Sequence, residues 1–267
     1  MRLSPVSRPL GLRRAAALAA SALLVLGSSL QAGPQDKNST GTIKGRLVWA
    51  AGAVPTPKVE VVKGQANVKD AVCKVKEIVS KDLMVDPATK GVADAFAYIS
   101  KPAGDVTAAE EALLKKTPEV VIDQVNCEFV PYVTVVHKDQ KLKFKSSDPV
   151  GHNVRFQTFA NGSANQMLPP NGSLVHKIEK GERRPTPIAC DIHPWMKGYF
   201  LILEHPFATV TKRDGSFEIS GIPAGAQNLV LWQSTRGNVN PGGSKGMPIT
   251  VKAGETVDVG EVKITTK

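Results

Sequence analysis

From Gly41 to its end the chain is written in short alternating runs, each closed by glycine, proline, asparagine or aspartate. That punctuation leaves little room for helices and favours strands joined by turns. Ile43–Trp49, Val59–Val62, Ala95–Ile99, Val120–Asp123 and Val133–His137 all read as strands. So do Lys141–Lys145, Asn153–Phe156 and Ser173–Ile178, while Tyr199–Glu204 is apolar enough to be buried on both faces. Only 106–116 (VTAAEEALLKK) has helical composition, with Val106, Ala109 and Leu113 on one face. The expected fold is all-β: antiparallel sandwiches with one short helical insertion. An apolar content of 42% with 22% charged residues excludes a disordered chain and a polytopic membrane protein. Three cysteines exclude a disulfide scaffold and a four-thiolate zinc site, and no CxxCH is present for covalent haem.

The first 32 residues read as a secretory signal. Four arginines (Arg2, Arg8, Arg13, Arg14) precede the apolar run Ala15–Leu26 and a small, polar exit at Gly27–Ala32. Twelve apolar residues are too few to span a bilayer comfortably, so no membrane span is expected after its removal. Removal takes four positive charges and no negative one from +10, leaving +6. The expected location is periplasmic or secreted. A basic surface there suits steering toward an acidic protein partner; nucleic acid is not expected.

The chemistry gathers in Cys190-Asp-Ile-His193-Pro-Trp-Met196. Pro194 argues against a helix, and in a loop between strands this spacing lets a thiol, an imidazole and a thioether converge. His152, which follows the Pro149–Gly151 turn, supplies a second imidazole. Two imidazoles, one thiolate and a weak thioether form the ligand set of a blue-copper electron-transfer site. Zinc would accept the thiolate and both imidazoles but is poorly served by a thioether. A cysteine nucleophile paired with His152 or His193 lacks a third orienting group. His137, His176 and His205 read as surface imidazoles. Cys73 and Cys127 remain once Cys190 has a role. In an oxidising compartment they are expected to form a disulfide, with two free buried thiols as the alternative.

Residues 120–204 resemble the cupredoxins, closest to the amicyanins. The resemblance is carried by VVID at 120–123, the strand Leu142–Lys145, HNVRF at 152–156 and the short C-x-x-H-P-aromatic-M loop. It implies one type 1 copper ion held by His152, Cys190, His193 and Met196, with the Asn153 backbone N–H donating to the cysteine sulfur. It also implies that His193, beside Pro194 and Trp195, presents one ring edge near solvent as the electron exit. Residues 183–189 depart from the family, which has an aromatic-bearing strand before the cysteine. Residues 206–267 resemble the carboxypeptidase regulatory-like module in the Asp214-Gly-Ser-Phe217 hairpin and the Pro223-Ala-Gly225 turn. Gly41–Leu47 looks like that module's opening strand, and either completes its sheet or packs on the middle domain.

The expected organisation is a signal at 1–32, an N-terminal β segment with the helical insertion at 33–119, a Greek-key cupredoxin sandwich at 120–205 and a small Ig-like or prealbumin-like β module at 206–267. The expected function is a one-electron carrier, not an enzyme, working between redox proteins such as a periplasmic dehydrogenase or a cytochrome. The alternative is a copper carrier or adhesion protein in which the C-terminal module contacts carbohydrate or another protein.

Overall fold

Alternation of apolar and polar side chains decides the layers of this computed structural model, which describes residues 39–265. The expected signal at 1–32 lies outside the described residues. The chain begins with β1 (Thr40–Trp49), β2 (Val59–Val61), β3 (Ile78–Val79) and β4 (Phe96–Ile99), followed by helix α1 (Thr107–Lys116). Next come β5 (Glu119–Gln124), β6 (Phe129–Val130), β7 (Val133–His137), β8 (Lys141–Ser146) and β9 (His152–Gln157). They are followed by β10 (Ser163–Leu168), β11 (Ser173–His176), β12 (Thr186–Ala189) and β13 (Lys197–Leu203). The last six are β14 (Ala208–Val210), β15 (Ser216–Pro223), β16 (Gly225–Gln233), β17 (Gly237–Asn238), β18 (Met247–Val251) and β19 (Thr256–Ile264). No helix among the described residues is long and apolar enough to cross a membrane.

The strands build two sandwiches. In one, the sheet β10-β9-β12-β13-β7 faces the sheet β11-β8-β5-β6 across a core that includes Phe144, Phe156, Phe200 and Ile202. Two of its pairings, β13 with β7 and β5 with β8, are parallel. In the other, β15-β1-β19 faces β14-β4-β16-β17, with β18 added beside β16. The opening strand β1 is thus resolved: it lies between β15, antiparallel, and β19, parallel, and completes the sheet of the C-terminal strands.

The continuous burial along β13 has a specific cause. Phe200 and Ile202 face the first core, while Leu201 and Leu203 enter a third cluster with Phe96, Tyr98 and Val230. β4 mirrors it, with Ala97 and Ile99 in its own core and Phe96 and Tyr98 in the joining cluster. A sheet covered on both faces loses the apolar–polar alternation, as seen in the unbroken FLIL run. The two inner sheets therefore share an apolar layer.

Three backbones meet at Gly215. Its φ is +79°, its carbonyl accepts the Leu47 N–H at 2.9 Å, and a Cβ there would lie 2.1 Å from the Leu47 oxygen. Backbone cannot yield as a side-chain tip can. Gly215→Val is expected to cost about 2–5 kcal/mol, combining left-handed strain with overpacking. Urea unfolding measures it, and a loss below about 1 kcal/mol would show that the junction relaxes freely.

Candidate metal centre

The loop before His152 and the loop after β12 meet at one end of the first sandwich. The second is closed on itself: Met196 N–H donates to the His193 carbonyl at 2.8 Å, and Cys190 N–H to the Met196 carbonyl at 3.2 Å. Asn153 clamps it from β9, its Oδ1 accepting the Asp191 N–H at 2.5 Å and its Nδ2 donating to Asp191 Oδ2 at 3.2 Å. Arg155 Nε donates to Asp191 Oδ1 at 2.6 Å from the outer face of the same strand.

This places three donors together. His152 Nδ1 and His193 Nδ1 are 3.0 Å apart, and Cys190 Sγ is 3.8 Å from His193 Nδ1. The donor atoms of His152, Cys190 and His193 all lie within 4.8 Å of one another, and all three residues are buried. Two other clusters of donor type occur beside it, Cys73–Cys127–His193 and Cys127–Asp148–His152. Both draw on the Cys73–Cys127 disulfide, whose sulfurs are bonded to each other and offer no thiolate. Cys190 is the free cysteine. Met196 is buried in the apolar cluster that also holds Cys190. Asn153 N–H lies 3.5 Å from Cys190 Sγ and donates to it.

The outer nitrogens are held as well. His152 Nε2 is 2.9 Å from Asp148 Oδ2, and His193 Nε2 is 2.8 Å from Asp70 Oδ2. A carboxylate at each Nε2 accepts a proton there and turns both Nδ1 atoms toward the shared point, where a bound metal would displace the Nδ1 proton. Asp148 also accepts the N–H groups of Asn126 at 2.7 Å and Cys127 at 2.8 Å. Burial would push the Cys190 thiol up, but hydrogen bonds from His152, His193 and the Asn153 N–H outweigh it and bring the pKa down to about 6. At His152 burial likewise opposes charge, yet Asp148 and Cys190 raise it to about 9. The sulfur is therefore available as thiolate at neutral pH, the form that binds metal. A soft thiolate, two neutral-capable imidazoles and a buried thioether suit copper better than a hard cation.

Two expectations need correction. His193 does not present a ring edge to solvent: it is 3% exposed, enclosed by Asp70 and packed 5.3 Å from the half-buried Trp195 ring. Only Pro194 of that trio is exposed, because residues 58–82 cover the imidazole. His137 and His205 are not surface imidazoles. His137 is roofed by Glu110 of α1 at 3.4 Å, and burial lowers His205 to about 4. Where residues 183–189 depart from the family the chain still forms a strand: β12 pairs with β13 over four residues and with β9 at Ile188 and Ala189, past Pro187.

Sequence reasoning missed Asp148 and Asp70. Asp148, four residues before His152, carried a local signal; Asp70 had none, being brought in from 123 positions away.

No family model and no curated protein matches the chain. Among solved structures, an amicyanin from Paracoccus versutus is 15% identical over 32% of this chain and 80% of its own, with a TM-score of 0.27. A copper-containing nitrite reductase from Thermus scotoductus SA-01 is 18% identical over 33% of this chain and 23% of its own (TM-score 0.30). A purple cupredoxin from Nitrosopumilus maritimus is 17% identical over 32% of this chain and 97% of its own (TM-score 0.26). These similarities span about a third of the chain, and the metal reading below rests on the donor geometry instead.

Proposed function

We propose that the protein is a non-enzymatic, single-copper electron carrier acting in the periplasm or outside the cell. The observation that supports this reading is the meeting of two imidazole Nδ1 atoms and a thiolate-forming sulfur at one buried point, with each outer nitrogen pinned by a carboxylate. Bound there, copper would supply a Cu(II)/Cu(I) couple. His152, Cys190 and His193 would hold it, with Met196 as a weak fourth donor. The polypeptide's part is to keep the donors still. Asn153 fixes the loop and donates to the sulfur, Asp148 and Asp70 hold the rings, and the apolar cluster excludes water. Donors that barely move when the charge changes suit one-electron transfer. Four protein donors leave no position for a substrate, which favours a carrier over a redox enzyme. The Cys73–Cys127 disulfide and the basic-then-apolar start of the chain support an oxidising compartment. A redox protein with an acidic face is the fitting partner for a chain of net charge +10, or +6 without residues 1–32.

One equivalent of Cu(II) is expected to give an intense visible charge-transfer band and reversible electrochemistry. Cys190→Ser should abolish the band completely. A colourless complex, or Cu(I) bound so tightly that it resists oxidation, would reject the electron-carrier reading, the latter in favour of a copper carrier.

A further inference from the structure

Residues 58–82 belong to neither sandwich sheet, yet they are bound firmly to the metal end. β2 pairs with β3, and the intervening 62–77 stretch carries a 3₁₀ turn at Ala71–Lys74. Val61, Val68, Cys73 and Ile78 are buried in the apolar cluster that contains Cys190 and Met196. The segment is tied at several points. Cys73 is bonded to Cys127, Glu128 takes ion pairs from both Lys76 and Lys81, and the Tyr132 hydroxyl donates to Asp82 at 2.9 Å. The Asp82 carbonyl accepts hydrogen bonds from Gln233 and Ser234 at 2.5 Å each, so the second sandwich holds the segment as well. What this wall delivers to the centre is one carboxylate, Asp70, on the outer nitrogen of His193.

We propose that Asp70 is a positioning residue for His193, and that residues 58–82 are a fixed wall which both orients this imidazole and bars any partner from touching it. The proposal rests on the copper reading above for its electrochemical consequence but not for its geometry. The carboxylate accepts the Nε2 proton, so the ring has a single orientation in which Nδ1 faces Cys190 and His152. A negatively charged acceptor also makes the imidazole a stronger donor, which favours the more highly charged Cu(II) over Cu(I). Asp70 therefore sets the reduction potential as well as the ring. The neighbouring disulfide keeps it in place: the sulfurs of Cys73 and Cys127 and a ring nitrogen of His193 lie within 4.8 Å of one another.

The test combines two variants with two readouts. Asp70→Ala removes the acceptor; Asp70→Asn keeps an acceptor oxygen and removes the charge. Long-range ¹H–¹⁵N NMR of the parent protein without added metal is expected to show His193 protonated at Nε2, a state kept in Asp70→Asn and lost in Asp70→Ala. In the copper-loaded proteins, Cu(II) affinity should fall about 10–100-fold in Asp70→Ala. Each tenfold loss of Cu(II) over Cu(I) raises the potential by about 59 mV, and Asp70→Asn should shift in the same direction. A His193 whose Nε2 carries no proton in the parent, or a potential and affinity unchanged in Asp70→Ala, would overturn the proposal. Absence of any Cys190-dependent band in the parent would sink the copper reading instead, while the NMR result still decides where Asp70 acts.

Discussion

A fragment comprising residues 206–267 alone is expected to be unfolded in water. β15 and β19 each have β1 as their sheet partner, and β14 has β4, so cutting before residue 206 removes both partners. The fragment keeps β16 with β17 and β18, three strands with one face bare. Its core loses Ile43, Leu47 and Ile99, all fully buried. At about 1.5–3 kcal/mol for each buried aliphatic side chain, those three contribute about 5–9 kcal/mol. That rivals the whole stability of an ordinary domain, about 5–15 kcal/mol. Loss of β-type circular dichroism and collapsed amide dispersion are the expected readouts. A fragment that melts cooperatively would mean that β1 and β4 are additions to a self-sufficient module.

The strands were legible where one face is wet. In β9, exposed Arg155 sits between buried Val154 and Phe156, and in β8, Leu142 and Phe144 alternate with lysines. β10 was not legible because it is a mostly exposed, polar edge strand whose place comes from pairing with β9 rather than from its own pattern. β12 was hidden by Pro185 and Pro187, although its pairing with β9 begins only past Pro187. The ligand loop could be read because its donors are packed into seven residues and an imidazole after a turn. Its surroundings could not. Whether β1 joins the C-terminal strands depends on partners at least 170 positions away. The covering of His193 depends on residues 58–82, whose sequence shows a short strand, a polar loop and one cysteine but nothing that points to the metal end. Ligand identity is a local property of a chain; ligand environment is a tertiary one.

Asp148 is where the scaffold and the centre depend on a single side chain. Its two oxygens accept from Asn126 N–H, Cys127 N–H and His152 Nε2, and it is 2% exposed. Asn126 and Cys127 both have positive φ, 51° and 58°, a conformation that non-glycine residues hold only when something fixes them. Removing the carboxylate would leave the buried Cys127 N–H, the half-buried Asn126 N–H and one buried ring nitrogen unpaired at once. Breaking a buried charged pair from one side costs about 3–5 kcal/mol, and Asp148→Ala is expected to fall in that range. The loss should also be pH-dependent in a defined direction. Burial would raise the Asp148 carboxyl, but the hydrogen bonds from His152, Cys127 and Asn126 outweigh it and hold its pKa below the ordinary 3.8. A carboxyl depressed on folding stabilises fully above its unfolded pKa, and that contribution disappears as the pH falls through the lower folded value. The gap between parent and Asp148→Ala in urea unfolding should therefore be widest near neutrality and narrow below about pH 4. His152 would lose its anchor in the same variant, so copper affinity should drop about 10–100-fold alongside stability. A variant as stable as the parent at pH 7, or a gap that does not change on acidification, would show that Asn126, Cys127 and His152 are held by something other than this carboxylate.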